Sequence, residues 1–153
     1  MSDFSYQEKS ILGSLAAMLV VYTYYFGSTL RDLGRREFGN GGLARLVFAV
    51  IALIVIEIVY HIVLALESDP EPKDERDTLI ESKAYKTAYF FLATGISLLA
   101  AGIIVFNTLA LHSHEALGTV SAFATVNLIL LAMVLAESAK FLTQLFYYRR
   151  GLR

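Results

Sequence analysis

The sequence predicts an all-α fold, an integral membrane four-helix bundle forming a single four-helix transmembrane domain over residues 1–153. Three observations carry this. The mean hydropathy is +0.57. Hydrophobic residues make up 56% of the chain and charged residues only 18%, where a soluble domain keeps about a quarter charged to wet its surface. The apolar residues are gathered into four blocks, each long enough at about 1.5 Å per residue to cross roughly 30 Å of hydrocarbon. Those blocks are continuous, whereas membrane strands run to about ten residues with alternating polarity, so the blocks read as helices.

The first span, 11–30, is a run of twenty residues without a charge. It is too long for a signal peptide, and it ends in Tyr22-Thr-Tyr-Tyr-Phe26, bulky where a cleavage site needs small residues, so it is expected to stay in the mature protein. The second span, 46–66, carries Glu57 and His61. A polar stretch follows, read as an acidic loop over 67–86, with seven acids against four bases and both prolines, Pro70 and Pro72. No span therefore contains a proline break of the kind found in transporters with discontinuous helices. Thr78-Leu-Ile-Glu81 has the spacing of a capping box, and Asp74, Glu75 and Asp77 suit a helix amino terminus, so a helix is expected to begin there and project a turn or two before the third span, 87–111. The fourth span, 119–142, continues its apolar pattern into Tyr147-Tyr-Arg-Arg150, where aromatic rings and guanidiniums suit an interface anchor.

Flanking Lys and Arg give the orientation. Residues 112–118 contain none, so the hairpin between the third and fourth spans should face away from the cytoplasm and both termini should be cytoplasmic. Lys9, Lys73, Arg76, Lys83, Lys86, Arg149, Arg150 and Arg153 then lie inside, against Arg31, Arg35, Arg36 and Arg45 outside. The first span taken alone points the other way, because three arginines follow it closely.

Composition also excludes functions. Thirteen Lys and Arg against fourteen Asp and Glu leave no basic excess for a nucleic-acid backbone, so no nucleic acid is expected as a partner. The absence of cysteine removes disulfides, thiolate metal sites and cysteine nucleophiles. The longest polar stretch is too short for a soluble catalytic domain, so any chemistry must sit among the helices or at their ends.

Small residues recur at packing distance: Ala93, Ser97 and Ala101 on the third span with Gly95 and Gly102 nearby, Gly13 and Ala17 on the first, Ala132 and Ala136 on the fourth. In lipid such positions let backbones approach, either within the bundle or, on the third span, between copies in a homo-oligomer.

Charged groups within a span are costly and are the best pointers to function. They are Glu57, His61, Glu137 and Lys140. Glu57 and His61 are four apart and share a helical face. In the inferred orientation Glu57, His61 and Glu137 fall at depths of roughly 17, 23 and 27 Å below the outer ends of their spans, all in the inner half. Such a cluster could relay protons or bind an ion; alternatively Glu137 pairs with Lys140 while Glu57 and His61 bond across helices as packing glue. One histidine and two glutamates lack a further ligand for a metal, and His61 is the sole span histidine for a haem, so no metal or cofactor is expected. His112, His114 and Glu115 in the outer hairpin could ligate a metal but suit a solvated turn, and the acidic loop lacks the spacing and central glycine of a calcium loop. That loop and the carboxyl terminus are separated by two spans and must share a side. Asp74, Glu75 and Asp77 can therefore meet Arg149 and Arg150 in a charged clasp.

The segment Asp74-Glu-Arg-Asp77 with Ile80, Lys83 and Ala84, together with Gln144-Leu-Phe-Tyr-Tyr-Arg-Arg-Gly151, resembles an uncharacterised family of small prokaryotic four-span membrane proteins with a DERD-type acidic loop and a C-terminal YYRRG tail. The resemblance covers the second half of the chain and implies a multi-pass protein of the plasma (inner) membrane of a bacterium or archaeon. The expected function is a non-enzymatic structural or regulatory membrane partner. Its partners would be the lipid bilayer and either a second copy or another membrane protein. The alternative is a small transporter or channel with an intramembrane Glu/His ion or proton site. An enzyme is not expected, because no nucleophile and base stand together at a convincing spacing.

Overall fold

A computed structural model describes residues 4–35, 41–67, 72–112 and 122–150, with side chains at 32–35 and 110–112 outside the description. The described residues are all-α and form four helices: α1 (Tyr6–Arg35), α2 (Gly41–Glu67), α3 (Glu75–His112) and α4 (Ala122–Arg150). Each is long and apolar enough to cross a membrane, consistent with a multi-pass membrane protein. Phe48, Ile51, Ile58 and Leu66 of α2 and Phe90, Leu98 and Ile104 of α3 are exposed. Water would penalise that surface, whereas hydrocarbon accepts it.

The chain divides into two compact units, Met1–Asp74 and Glu75–Arg153, each an antiparallel helical pair. In the first, α1 turns Leu15, Met18, Val21 and Tyr25 inward at intervals of three and four, and α2 answers with Gly42, Ala49 and Leu64. Tyr25 is only 1% exposed. In the second, Ile80, Ala84 and Ala88 of α3 are buried, and Gly95 on the same stripe brings its backbone against Ala132 of α4. A methyl group at Gly95 would sit 3.3 Å from the Ala132 Cβ, so this crossing is close but not full. Ala93, Ser97 and Ala101 are exposed on the opposite face of α3, because two residues from Gly95 is about 200° around a helix. The small residues of the third span thus divide between two faces, and Gly95 is the one that meets α4.

The helices run beyond the apolar spans. The acidic loop expected over 67–86 is largely helix, since α3 begins at Glu75. Thr78 therefore lies inside the first turn and is not the cap; Asp74 precedes the first helical residue. The reason is local: Glu, Arg, Leu and Lys all favour helix, Glu75 and Asp77 suit its positive end, and a helix outside the bilayer is not limited by membrane thickness. A capping box does occur at the start of α1. Ser5 N–H donates to Glu8 Oε2 at 3.0 Å and Glu8 N–H donates to Ser5 Oγ at 3.2 Å, which extends α1 five residues before the span. At the other end of the chain α4 continues to Arg150, eight residues past the expected span.

Candidate functional site

Hydroxyl and amide side chains within a membrane helix must find partners without water, and most here return to their own backbone one turn back. Thr87 bonds to the Lys83 carbonyl, Thr108 to Ile104, Ser138 to Val134, Thr143 to Ala139, and the Asn127 amide to Phe123. Ser14 is different. Its Oγ donates to Glu57 Oε2 of α2 at 2.8 Å, and His61 Nε2 stands 3.2 Å from both that hydroxyl oxygen and that carboxylate oxygen. Three groups able to exchange protons thus form a triangle across the α1–α2 crossing.

Its placement follows from the helices. Glu57 and His61 share a face one turn apart, and Ser14 lies on the buried stripe of α1 that includes Leu15 and Met18. The rotation of α2 is fixed by Tyr60. Its hydroxyl donates to the Lys9 carbonyl at 2.6 Å, and its ring covers Gly13 so closely that a Cβ there would lie 2.0 Å from the ring. A side chain at residue 13 would exclude the ring, so glycine is what permits this approach. Glu57 is ten residues, about 15 Å, from the end of α2, well within its apolar length. Ser14 is buried, but the Glu57 and His61 side chains are 27% and 43% exposed, so the triangle has a closed side toward α1 and an open side.

A serine, a histidine and a carboxylate invite comparison with a hydrolytic triad, and the geometry departs from it. A triad needs the serine on one ring nitrogen and the carboxylate on the other, so that one nitrogen takes the proton while the other is held. Here both oxygens meet the same Nε2, and the serine proton goes to the carboxylate. What the arrangement does is join two helices through contacts among three polar side chains.

Glu137 and Lys140, the other intramembrane pair expected from sequence, are bonded to each other within α4. The Lys140 side chain is only 13% exposed; its ammonium lies 5.3 Å from the centre of the Tyr85 ring of α3 and 4.6 Å from that of Phe141, while Glu137 is about half exposed. Carboxylate and ring faces together offset the loss of water around the ammonium. Among the described residues no three of His, Asp or Glu gather as metal ligands. His114 and Glu115 of the outer hairpin lie outside the described residues, as does the side chain of His112.

The ends expected to form the clasp do adjoin, since α3 begins where α4 finishes. The Tyr148 hydroxyl donates to Asp77 Oδ1 at 2.8 Å, and the Arg76 guanidinium reaches the Tyr148 carbonyl at 3.5 Å. Lys83 lies 4.9 Å from the centre of the Tyr147 ring, and Arg150 stacks on Phe146 at 5.0 Å. Asp74, Glu75 and Arg149 are exposed at this end. Tyrosine thus carries part of the joining role expected of the arginines. Sequence reasoning singled out Glu57 and His61 but missed Ser14, Tyr60 and the Ser5–Glu8 cap; only the cap had a local signal. Comparison with protein-family models, with curated proteins and with solved structures gives no match for this chain.

Proposed function

We propose that this is a non-enzymatic integral membrane protein acting as a structural or regulatory partner in the bilayer, with both termini cytoplasmic. The observation that carries the reading is the Ser14–Glu57 hydrogen bond: the costliest groups in the spans are engaged across a helix crossing, which is how polar residues hold membrane helices together. The Glu137–Lys140 pair is likewise satisfied locally. The DERD and YYRRG segments favour a prokaryotic inner membrane as the setting.

A second reading, a small transporter or channel with a proton or ion site, is favoured by the half-open position of His61 and Glu57 beside Ser14. Proton flux into liposomes holding the full chain and a pH-sensitive dye separates the two. The structural reading expects the wild-type protein and Glu57→Gln to match protein-free vesicles. Flux in the wild type that Glu57→Gln abolishes would overturn it and establish transport.

A further inference from the structure

At the other end of the α1–α2 pair the helices part to leave a groove of about 190 Å3, with Val20, Tyr24 and Ser28 on one wall and Arg45, Phe48 and Ala52 on the other. Its size is informative. A closed cavity of about 150 Å3 holds a benzene, whereas sites for drug-sized ligands run to about 300–1,000 Å3. The space therefore suits a stretch of alkyl chain better than a compact metabolite. Its shape agrees: from Ser28 to Val20 is eight residues, about 12 Å along the helix axis, so the slot is elongated and parallel to the lipid chains.

The surface of the slot is apolar throughout, and charge lies only around its Ser28 and Arg45 end. The Ser28 and Arg45 end adjoins exposed Arg31 and the amino terminus of α2, whose first turn carries no acid and whose leading N–H groups favour an anion. In sequence, 31–45 holds four arginines against Asp32 and Glu37. An arginine offers five donors in a fork suited to phosphate, so Arg45 can serve a headgroup in addition to contacts within the protein. The rings of Tyr22 and Phe26 pair at this level of α1 with exposed Tyr24 between them in sequence, and such aromatic side chains are enriched where hydrocarbon meets headgroups.

We infer that this groove binds one anionic phospholipid, an acyl chain lying between Val20 and Ala52 and the phosphate held at the Arg45 end. The site is independent of the Ser14, Glu57 and His61 triangle and of either reading of its role. Because the chain has no cysteine, Ala52→Cys places a unique thiol in the apolar end. The folded variant, in detergent, is titrated with phosphatidylglycerol or phosphatidylcholine of identical chains, before and after alkylation with N-ethylmaleimide, and retained lipid is counted by native mass spectrometry. Phosphatidylglycerol should be retained at least fivefold more than phosphatidylcholine. Alkylation of the already folded protein should lower retention of both, and Arg45→Gln should bring phosphatidylglycerol down to the phosphatidylcholine level. Equal retention of the two lipids, or retention unchanged by alkylation, would overturn the site. Preference for phosphatidylglycerol that survives Arg45→Gln would remove the phosphate from the Arg45 end.

Discussion

Between α1 and α2 the crossing inside the apolar zone is polar, with Ser14, Glu57 and His61 within 3.2 Å of one another, whereas between α3 and α4 the corresponding crossing is Gly95 against Ala132. Hydrophobic burial drives neither contact, because lipid tails are as apolar as leucine. The first pair gains specificity from directed bonds that fix the rotation of α2. The second gains close approach from small residues and adds its directed contacts, Asp77 to Tyr148 and Lys83 to Tyr147, near the end where the helices leave the hydrocarbon. A polar crossing tolerates little change in shape, and a crossing of small residues tolerates little added bulk only where contact is already full.

The largest expected effect tests the steric key of the first pair. Gly13→Ala places a Cβ against the far end of the Tyr60 ring, so the ring must move and its bond to the Lys9 carbonyl is lost, at about 1–2 kcal/mol after the gain from replacing a helical glycine. Cysteine placed at buried Ala49 or Ala136 reports on each pair separately through its thiol-labelling rate during SDS titration. Gly13→Ala should speed labelling at residue 49 and leave residue 136 unchanged. In a Tyr60→Ala background the same substitution should be neutral or stabilise by up to about 1 kcal/mol, as replacing a helical glycine does; an undiminished cost there would mean that Gly13 serves another contact.

The polar key comes next. Ser14→Ala removes the donor to Glu57, and interhelical hydrogen bonds in membranes average about 0.6 kcal/mol, with the strongest near 1.7. The expected loss is about 1 kcal/mol. A double-mutant cycle of Ser14→Ala with Glu57→Leu should show coupling of about 0.5–1.5 kcal/mol. Strictly additive effects would show that the triangle contributes nothing to joining the helices.

These two keys also show what the sequence could convey. The four spans were legible because lipid imposes a length and a composition, and both are written locally. The helix ends were not, since outside the hydrocarbon the bilayer no longer decides and caps compete: Ser5-x-x-Glu8 and Thr78-x-x-Glu81 share one spacing, yet only the first marks a helix start. Glu57 and His61 stood out because charge is rare in a span. Ser14 did not, as a serine in a membrane helix usually bonds to its own backbone, and its role here depends on a partner 43 residues away. Gly13 was legible as a packing residue but not as the seat of Tyr60, because that assignment requires the antiparallel register of the pair.

At the junction of α3 and α4, Tyr148→Phe removes the hydroxyl that donates to Asp77 and should cost about 0.5–1 kcal/mol, read as faster labelling at residue 136 alone. Charge reversal at Arg149 and Arg150 tests the wider clasp. It should weaken the same pair by a similar amount, with recovery when Asp74 and Glu75 are reversed to lysine, which leaves Asp77 as the acceptor for Tyr148. If recovery fails while Tyr148→Phe behaves as expected, the ends are held by tyrosine and not by paired charges.

The smallest effect is the most telling for the comparison. Gly95→Ala is the same chemical change as Gly13→Ala, made at the crossing of the other pair. Its Cβ would meet the Ala132 methyl at 3.3 Å, so the helices need part by only a few tenths of an ångström, and no hydrogen bond depends on the contact. Against that stands the gain from replacing glycine within a helix, up to about 1 kcal/mol. The two terms oppose each other, and the net change at residue 136 should lie within about 0.5 kcal/mol of zero. If Gly95→Ala instead costs as much as Gly13→Ala, the second pair is as rigidly keyed as the first. The distinction between a crossing set by directed bonds and one set by small side chains would then fail.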